Sequence, residues 1–277
     1  MPYLLFVSLV WAFSPGLIQN RLAGLDSSFV TTARLGLALL LFLPFLRVRG
    51  LSLRHTIVLL CLGAMQFGVM YLAYNESFKH LASHEVALLT LTTPVFVTLL
   101  ADAIDGKFHF RSLGAATLAV AGTAVVVFQD KALQPTLVGL GLVQLSNLAF
   151  AVGQVGYKKF REKNSHVKDR EVFAVLYAGG VALALAVMLT RGVSVSLNTG
   201  QVLTLLYLGI IASGLGFFFW NFGALRVSAG QLAVMNNAKI PLMVAASLLV
   251  FVEHANLARL AVSFGLLGLA VWLADRR

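Results

Sequence analysis

The stretch "LAVMNNAKIPLMVAASLLVF", Leu232 to Phe251, is apolar almost throughout, yet it carries Lys239 near its middle, three residues after Asn236 and two before Pro241. A run of about 20 such residues has the length of a membrane-crossing helix. A charged side chain at the centre of that helix costs about 2.5–3.5 kcal/mol on insertion scales. A lysine there calls for a hydrated cavity or a counter-charge.

The rest of the chain is of the same kind. Its 277 residues are 59% hydrophobic and only 12% charged, with a mean hydropathy of +0.87. A soluble domain carries about 25% charged residues. Long apolar runs follow one another with little between them. The expectation is an all-α integral membrane protein of ten transmembrane helices, near 4–23, 27–46, 55–77, 83–104, 111–129, 133–157, 171–190, 200–222, 229–252 and 256–274. The longest polar stretch, "KKFREKNSHVKDR" (Lys158 to Arg170), is expected to be a loop. The single cysteine, Cys61, rules out an intrachain disulfide. The first apolar run holds Trp11, Pro15 and Gln19 and lacks a basic leader and a small-residue cleavage site, so it reads as a retained helix.

The net charge of +10 would suggest nucleic acid in a soluble protein. Here it reports topology. With the N-terminus inside, 14 of the 21 lysines and arginines fall in cytoplasmic loops and 5 outside, leaving Arg34 and Lys239 within spans. That bias puts both termini in the cytoplasm of a multi-pass inner-membrane protein. The implied partners are the bilayer and a small organic solute, with no nucleic acid, and the chain is expected as a monomer or homodimer.

The two halves echo each other. "AFSPGLIQNR" (Ala12 to Arg21) aligns with "AFAVGQVGYK" (Ala149 to Lys158). "YLAYNESFKHLASHEVALLTLTTP" (Tyr71 to Pro94) lies over "FFFWNFGALRVSAGQLAVMNNAKIP" (Phe217 to Pro241), with Lys79 over Arg226 and Pro94 over Pro241. Two repeats, 1–130 and 131–277, each of five spans, are therefore expected. An odd span count inverts the second copy, an architecture found among secondary transporters.

"LVWAFSPG", "TARLGLALLLFLP", "YNESFKHLASHEVALLTLTTPVF" and "GAATLAVAGTAVVVF", followed in the second half by "NFGALRVSAGQLAVMNNAKIPLM" and Glu253, resemble the EamA-type members of the drug/metabolite transporter superfamily over essentially the whole chain. The resemblance implies ten helices in two inverted halves around a central cavity lined by spans 1, 3, 4, 6, 8 and 9. Implied substrates are amino acids, amines, carboxylates and drugs, and in distant branches sugar phosphates and nucleotide sugars. Many family members keep an acidic residue at the end of span 4. Here Asp102 and Asp105 stand at shifted spacing, and no role is carried onto either.

Lys239 is the foremost candidate for substrate contact, with Asn236 on the same helical face and Met243 continuing it. "NNAK" also resembles the lysine-bearing span 9 of the superfamily's phosphate and nucleotide-sugar carriers, where the lysine meets the anionic part of the substrate. The plainer alternatives are a lysine paired with a buried carboxylate or snorkelling outwards. Arg34, in "TTARLGLALL", is the second base within a span, either clamping helices or touching substrate.

Tyr71, Tyr74, Asn75 and Phe78 share one helical face, Trp220 and Asn221 occupy the corresponding place in the second half, and Gln144, Asn147 and Gln154 lie on a stripe of span 6. Trp11 and the threonines of "TLTTP", Thr93 among them, complete a plausible pocket, with helix packing the competing role for each. Glu85 and His84, with Glu76 and His80 close by, are candidates for proton coupling. The six histidines show no metal-ligand spacing, and no phosphate-binding glycine loop opens a helix, so neither metal, other cofactor nor ATP chemistry is expected.

The charge balance favours an anionic substrate, an amino acid or other carboxylate, carried by alternating access. Export of amines or cationic drugs would need a mid-span carboxylate, and an intramembrane enzyme acting on lipid-linked substrates would need clustered acid or histidine groups under a capping loop. Neither pattern is evident.

Overall fold

A computed structural model describes residues 2–47, 51–81, 86, 89–106, 110–127, 137–228, 230–232, 234–237, 242 and 257–275. Every regular element among them is a helix. The first span is broken: α1 (Pro2–Ala12) and α2 (Ser14–Arg21) meet at Phe13, because Pro15 has no N–H to offer and its ring crowds the preceding turn. Asp26 caps α3 (Ser27–Phe42) by accepting from the amides of Ser28 (2.8 Å) and Phe29 (3.3 Å).

A single run, α4 (Leu53–Ser77), carries a widened π stretch at Ala64–Val69. A tight turn at Thr90–Thr92 leads into α5 (Thr93–Asp105), which Gly106 closes in a left-handed conformation. Then follow α6 (Phe110–Val127), α7 (Leu137–Lys163) and α8 (Asp169–Arg191). Next is α9 (Thr199–Ala224), which opens on an Asn198–Gln201 capping box and contains a second π stretch at Tyr207–Leu215. Last described is α10 (Leu257–Asp275).

By length and composition, five of these helices suffice to cross a membrane among the described residues: Ser27–Phe45, Leu53–Ser77, Leu137–Lys163, Asp169–Arg191 and Thr199–Ala224. Large apolar side chains such as Phe6, Leu40, Phe110, Leu137 and Leu203 face outwards, which lipid tolerates and water does not.

One boundary departs from expectation. The polar stretch from Lys158 begins as helix, because α7 continues to Lys163. Its charges find partners without leaving the helix. The Lys158 ammonium donates to the carbonyls of Ala224 (2.9 Å) and Val227, while Lys159 pairs with Asp105 and, at 3.3 Å, with Glu162.

Packing is close where glycine allows it. The helix α8 lies along α3 and crosses α4, α9 crosses α3 through its π stretch, α7 lies against α4 and α5, α1 against the last turns of α9, and α6 against α10. A β-carbon on Gly63 would fall 1.8 Å from the Leu176 carbonyl oxygen, and one on Gly179 2.0 Å from that of Leu60, so α4 and α8 touch backbone to backbone.

Candidate functional site

Between the breaks in the helices lies a cavity of about 640 Å³, its open mouth included. Its wall takes Trp11, Ser14 and Pro15 from the kinked first span, Arg34 from α3, and Met70, Tyr71 and Tyr74 from α4. Thr90 and Thr93 come from the broken start of α5, Ser146, Asn147 and Phe150 from α7, Phe217 from α9, and Asn236 from the segment beyond it.

At the tight turn before α5 the Leu89 carbonyl is also held from α7. The Asn147 amide donates to that carbonyl (2.9 Å) and to the Thr92 hydroxyl (3.1 Å), which itself donates to Gln144 (2.7 Å). Polar side chains thus hold irregular backbone where it borders a cavity, the circumstance in which a membrane interior tolerates it. Asn236 donates to Leu232 one turn back (3.1 Å). The aromatic part of the wall packs on itself: Trp11 lies 4.8 Å from Phe217 between ring centres, Phe217 meets Tyr71 edge-on at 5.7 Å, and the Trp11 indole N–H donates to the Ala212 carbonyl at 2.8 Å.

Arg34 is the electrostatic centre. It is only 1% exposed, its Nη2 donates to the Tyr71 hydroxyl at 2.7 Å, and its Nε donates to the Ser213 hydroxyl at 3.3 Å. The guanidinium carbon also stands 4.1 Å from the centre of the Tyr71 ring. Among the described residues its Nη1 has no partner, and none of the carboxylates that form ion pairs there pairs with it. A buried, undercompensated cation in a cavity wall is costly unless an anion completes it.

Seven of the residues expected to touch substrate (Trp11, Arg34, Tyr71, Tyr74, Thr93, Asn147 and Asn236) therefore border one cavity. Three do not. Asn75 donates to Thr31 (2.9 Å) between α4 and α3. Asn221 exchanges amide hydrogen bonds with Gln66 at 3.1 and 3.3 Å, joining α9 to α4. Trp220 is fully buried behind Trp11, 4.9 Å between ring centres, and its indole N–H has no partner among the described residues. Lys239, Glu85 and His84 lie outside the described residues. The sequence reading did not single out Ser14, Met70, Ser146, Phe150 or Phe217 as lining residues. Phe150 carried a usable signal, since it stands in the repeated "AF" pair with Trp11 just before the other copy.

The EamA-like transporter family model matches residues 1–128. A protein of Pseudomonas aeruginosa named "Probable biotin transporter" is 40% identical over 277 residues, 99% of this chain and 96% of that relative. The chain belongs to the EamA-like transporter family. It is accordingly a small-molecule transporter of the drug/metabolite superfamily and not an enzyme. Other relatives include proteins named "Biotin transporter" from Salmonella typhimurium, 39% identical, and Escherichia coli K12, 38% identical, each over 245 residues covering 87% of this chain and 81% of the relative. A solved crystal structure superposes with a TM-score of 0.79 at 18% identity, covering 99% of this chain and 96% of that one, so the EamA chain shares its fold.

Proposed function

We propose that the protein is a secondary transporter that carries biotin across the cytoplasmic membrane by alternating access, with the substrate carboxylate bound at Arg34. The Arg34 guanidinium, buried in the cavity wall with no partner on Nη1 and no carboxylate paired to it among the described residues, carries this reading. Biotin offers an anionic end for that cation, an apolar chain for Trp11, Tyr71, Phe150 and Phe217, and a ureido group for the amides of Asn147 and Asn236. The names of the relatives support biotin and lend no support to an amino acid. Lys239, three residues after the cavity-lining Asn236, is proposed from the sequence as a second cation of the site.

The transport cycle would rock two inverted five-span halves, 1–130 and 131–277, with both termini cytoplasmic. Three observations support that frame. The family model spans 1–128, one half alone. Spans 3 and 8 both contain a π stretch. The helix contacts map onto themselves when the halves are exchanged: α4 on α8 becomes α9 on α3, and α4 on α7 becomes α9 on α1.

The test is uptake of radiolabelled biotin by cells that cannot make it. Arg34→Ala should lower kcat/KM by roughly 100-fold, as expected for removing one member of a buried charge pair, while the purified variant stays folded. Biotin uptake no better than in cells without the protein, or a folded Arg34→Ala variant that transports as wild type does, overturns the reading.

A further inference from the structure

Ser213 does not border the cavity, yet it touches everything that fixes Arg34. It belongs to the π stretch of α9 and is fully buried. Its hydroxyl accepts from Arg34 Nε at 3.3 Å and lies 3.0 Å from the Tyr71 hydroxyl, which accepts from Arg34 Nη2. Its own carbonyl is held by the Tyr177 hydroxyl at 2.7 Å, and the Gly214 carbonyl by the same hydroxyl at 3.0 Å, so α8 steadies the π stretch from behind. Gly209, one turn earlier, lets α9 approach α3 closely: its β-carbon would lie 2.6 Å from Leu37 and 3.2 Å from the Arg34 carbonyl.

A guanidinium offers donors on three nitrogens in one plane. With Nε and Nη2 tied to Ser213 and Tyr71, the plane is held by two helices, and Nη1 is the nitrogen left without a partner among the described residues. We propose that Ser213 is a positioning residue that sets the preference of the site for a carboxylate over an uncharged head group, by fixing the Arg34 guanidinium in the cavity wall with one of its donors uncommitted among the described residues. This rests on the reading of Arg34 as the carboxylate receptor. It ties substrate selectivity to the α9–α3 crossing, because the cation comes from one helix and its orienting hydroxyl from the other.

The measurement is the affinity of purified protein for biotin and for biotin amide, which replaces the carboxylate by a neutral group of the same shape. Wild type should prefer biotin. In Ser213→Ala that preference should fall about tenfold, the range for losing a hydrogen bond to a charged group, with biotin amide bound within about twofold of wild type. A preference left intact overturns the role of Ser213, and so does an equal loss for both ligands, which marks a merely structural residue. If wild type itself does not distinguish the two ligands, the reading of Arg34 fails instead. Should Ser213→Ala not fold, Ser213→Cys, which exchanges a good acceptor for a weak one, is judged by the same ratio.

Discussion

The crossing of α4 on α8 and the crossing of α9 on α3 occupy corresponding places on the proposed repeat, yet they close on different material. In the first, Gly63 and Gly179 face the backbone carbonyls of Leu176 and Leu60. In the second, Gly214 faces the end of Leu41 (Cδ2 at 2.9 Å), and Gly209 faces Leu37 Cδ1 at 2.6 Å and Cβ at 2.7 Å, with the Arg34 carbonyl at 3.2 Å. Backbone cannot step aside and a Cβ moves only with it, whereas the end of a leucine can turn. The first crossing is therefore a fixed seam and the second a partly cushioned one. The cushioned crossing is also the one that carries Arg34 and Ser213. At the same depth of the helix, eight residues after the aspartate that opens each, α3 has Arg34 and α8 has Tyr177. On the proposed repeat, one half would supply the charge of the candidate site and the other the hydroxyl that braces it.

The widest separation should come from the glycines. Gly179→Ala sets a β-carbon 2.0 Å from the Leu60 carbonyl oxygen, with Leu60 Cα at 2.9 Å. The helices must part, so we expect a loss of at least about 3 kcal/mol, the upper range for overpacking, read as little or no folded protein recovered from the membrane. Gly209→Ala meets Leu37 Cδ1 at 2.6 Å and Leu37 Cβ at 2.7 Å, and should cost about 2 kcal/mol. That variant should fold and transport with a raised KM, because the α9–α3 spacing sets the Arg34–Ser213 contact. Equal destabilisation by the two substitutions would erase the distinction between the crossings.

How much of this was legible beforehand depends on what kind of information each feature needs. The helices announce themselves through unbroken apolar runs, since lipid leaves the backbone no other partner than itself. The kink at Pro15 and the break before Pro94 follow from residues that cannot donate. Arg34 is visible because a base inside an apolar run is rare. The sequence did not decide whether Arg34 clamps helices or faces substrate, because that turns on Ser213 and Tyr71, which lie on other helices. Asn221 and Trp220 share a face with good pocket residues in the linear pattern. The partners that draw them away from the cavity, Gln66 for Asn221 and Trp11 in front of Trp220, lie on other helices. A pattern read along one helix cannot anticipate that.

The smallest effects belong to the aspartates that open the two helices, and they sharpen the same comparison. Asp169 accepts from Arg161 Nε at 2.8 Å and from the Tyr157 hydroxyl, with both members of the ion pair nearly buried, at 9% and 11% side-chain exposure. Asp26 caps α3 and pairs with Arg191 at 3.2 Å, where the arginine is 38% exposed. Asp169→Asn strips Arg161 of its counter-charge in a poorly hydrated place and should cost about 1–2 kcal/mol, within the range for leaving a buried polar group poorly satisfied.

Asp26→Asn keeps a capping oxygen and loses a charge that water already screens, so its cost at neutral pH should be smaller. Burial works against the charged form of Asp26, but hydrogen bonds from the Ser28 hydroxyl and amide, from Arg191 and from the Phe29 amide outweigh it and hold the carboxyl below its ordinary value of 3.8. A lowered folded-state pKa means that the charge contributes fully above the unfolded value and that this contribution is lost as pH falls through the folded one. Wild type and Asp26→Asn should therefore differ by a constant small amount from neutrality down to about pH 5, and converge below pH 3.8. Thermal unfolding of the two proteins across that range reads it directly, and a gap that widened on acidification would show the aspartate to be held up rather than down.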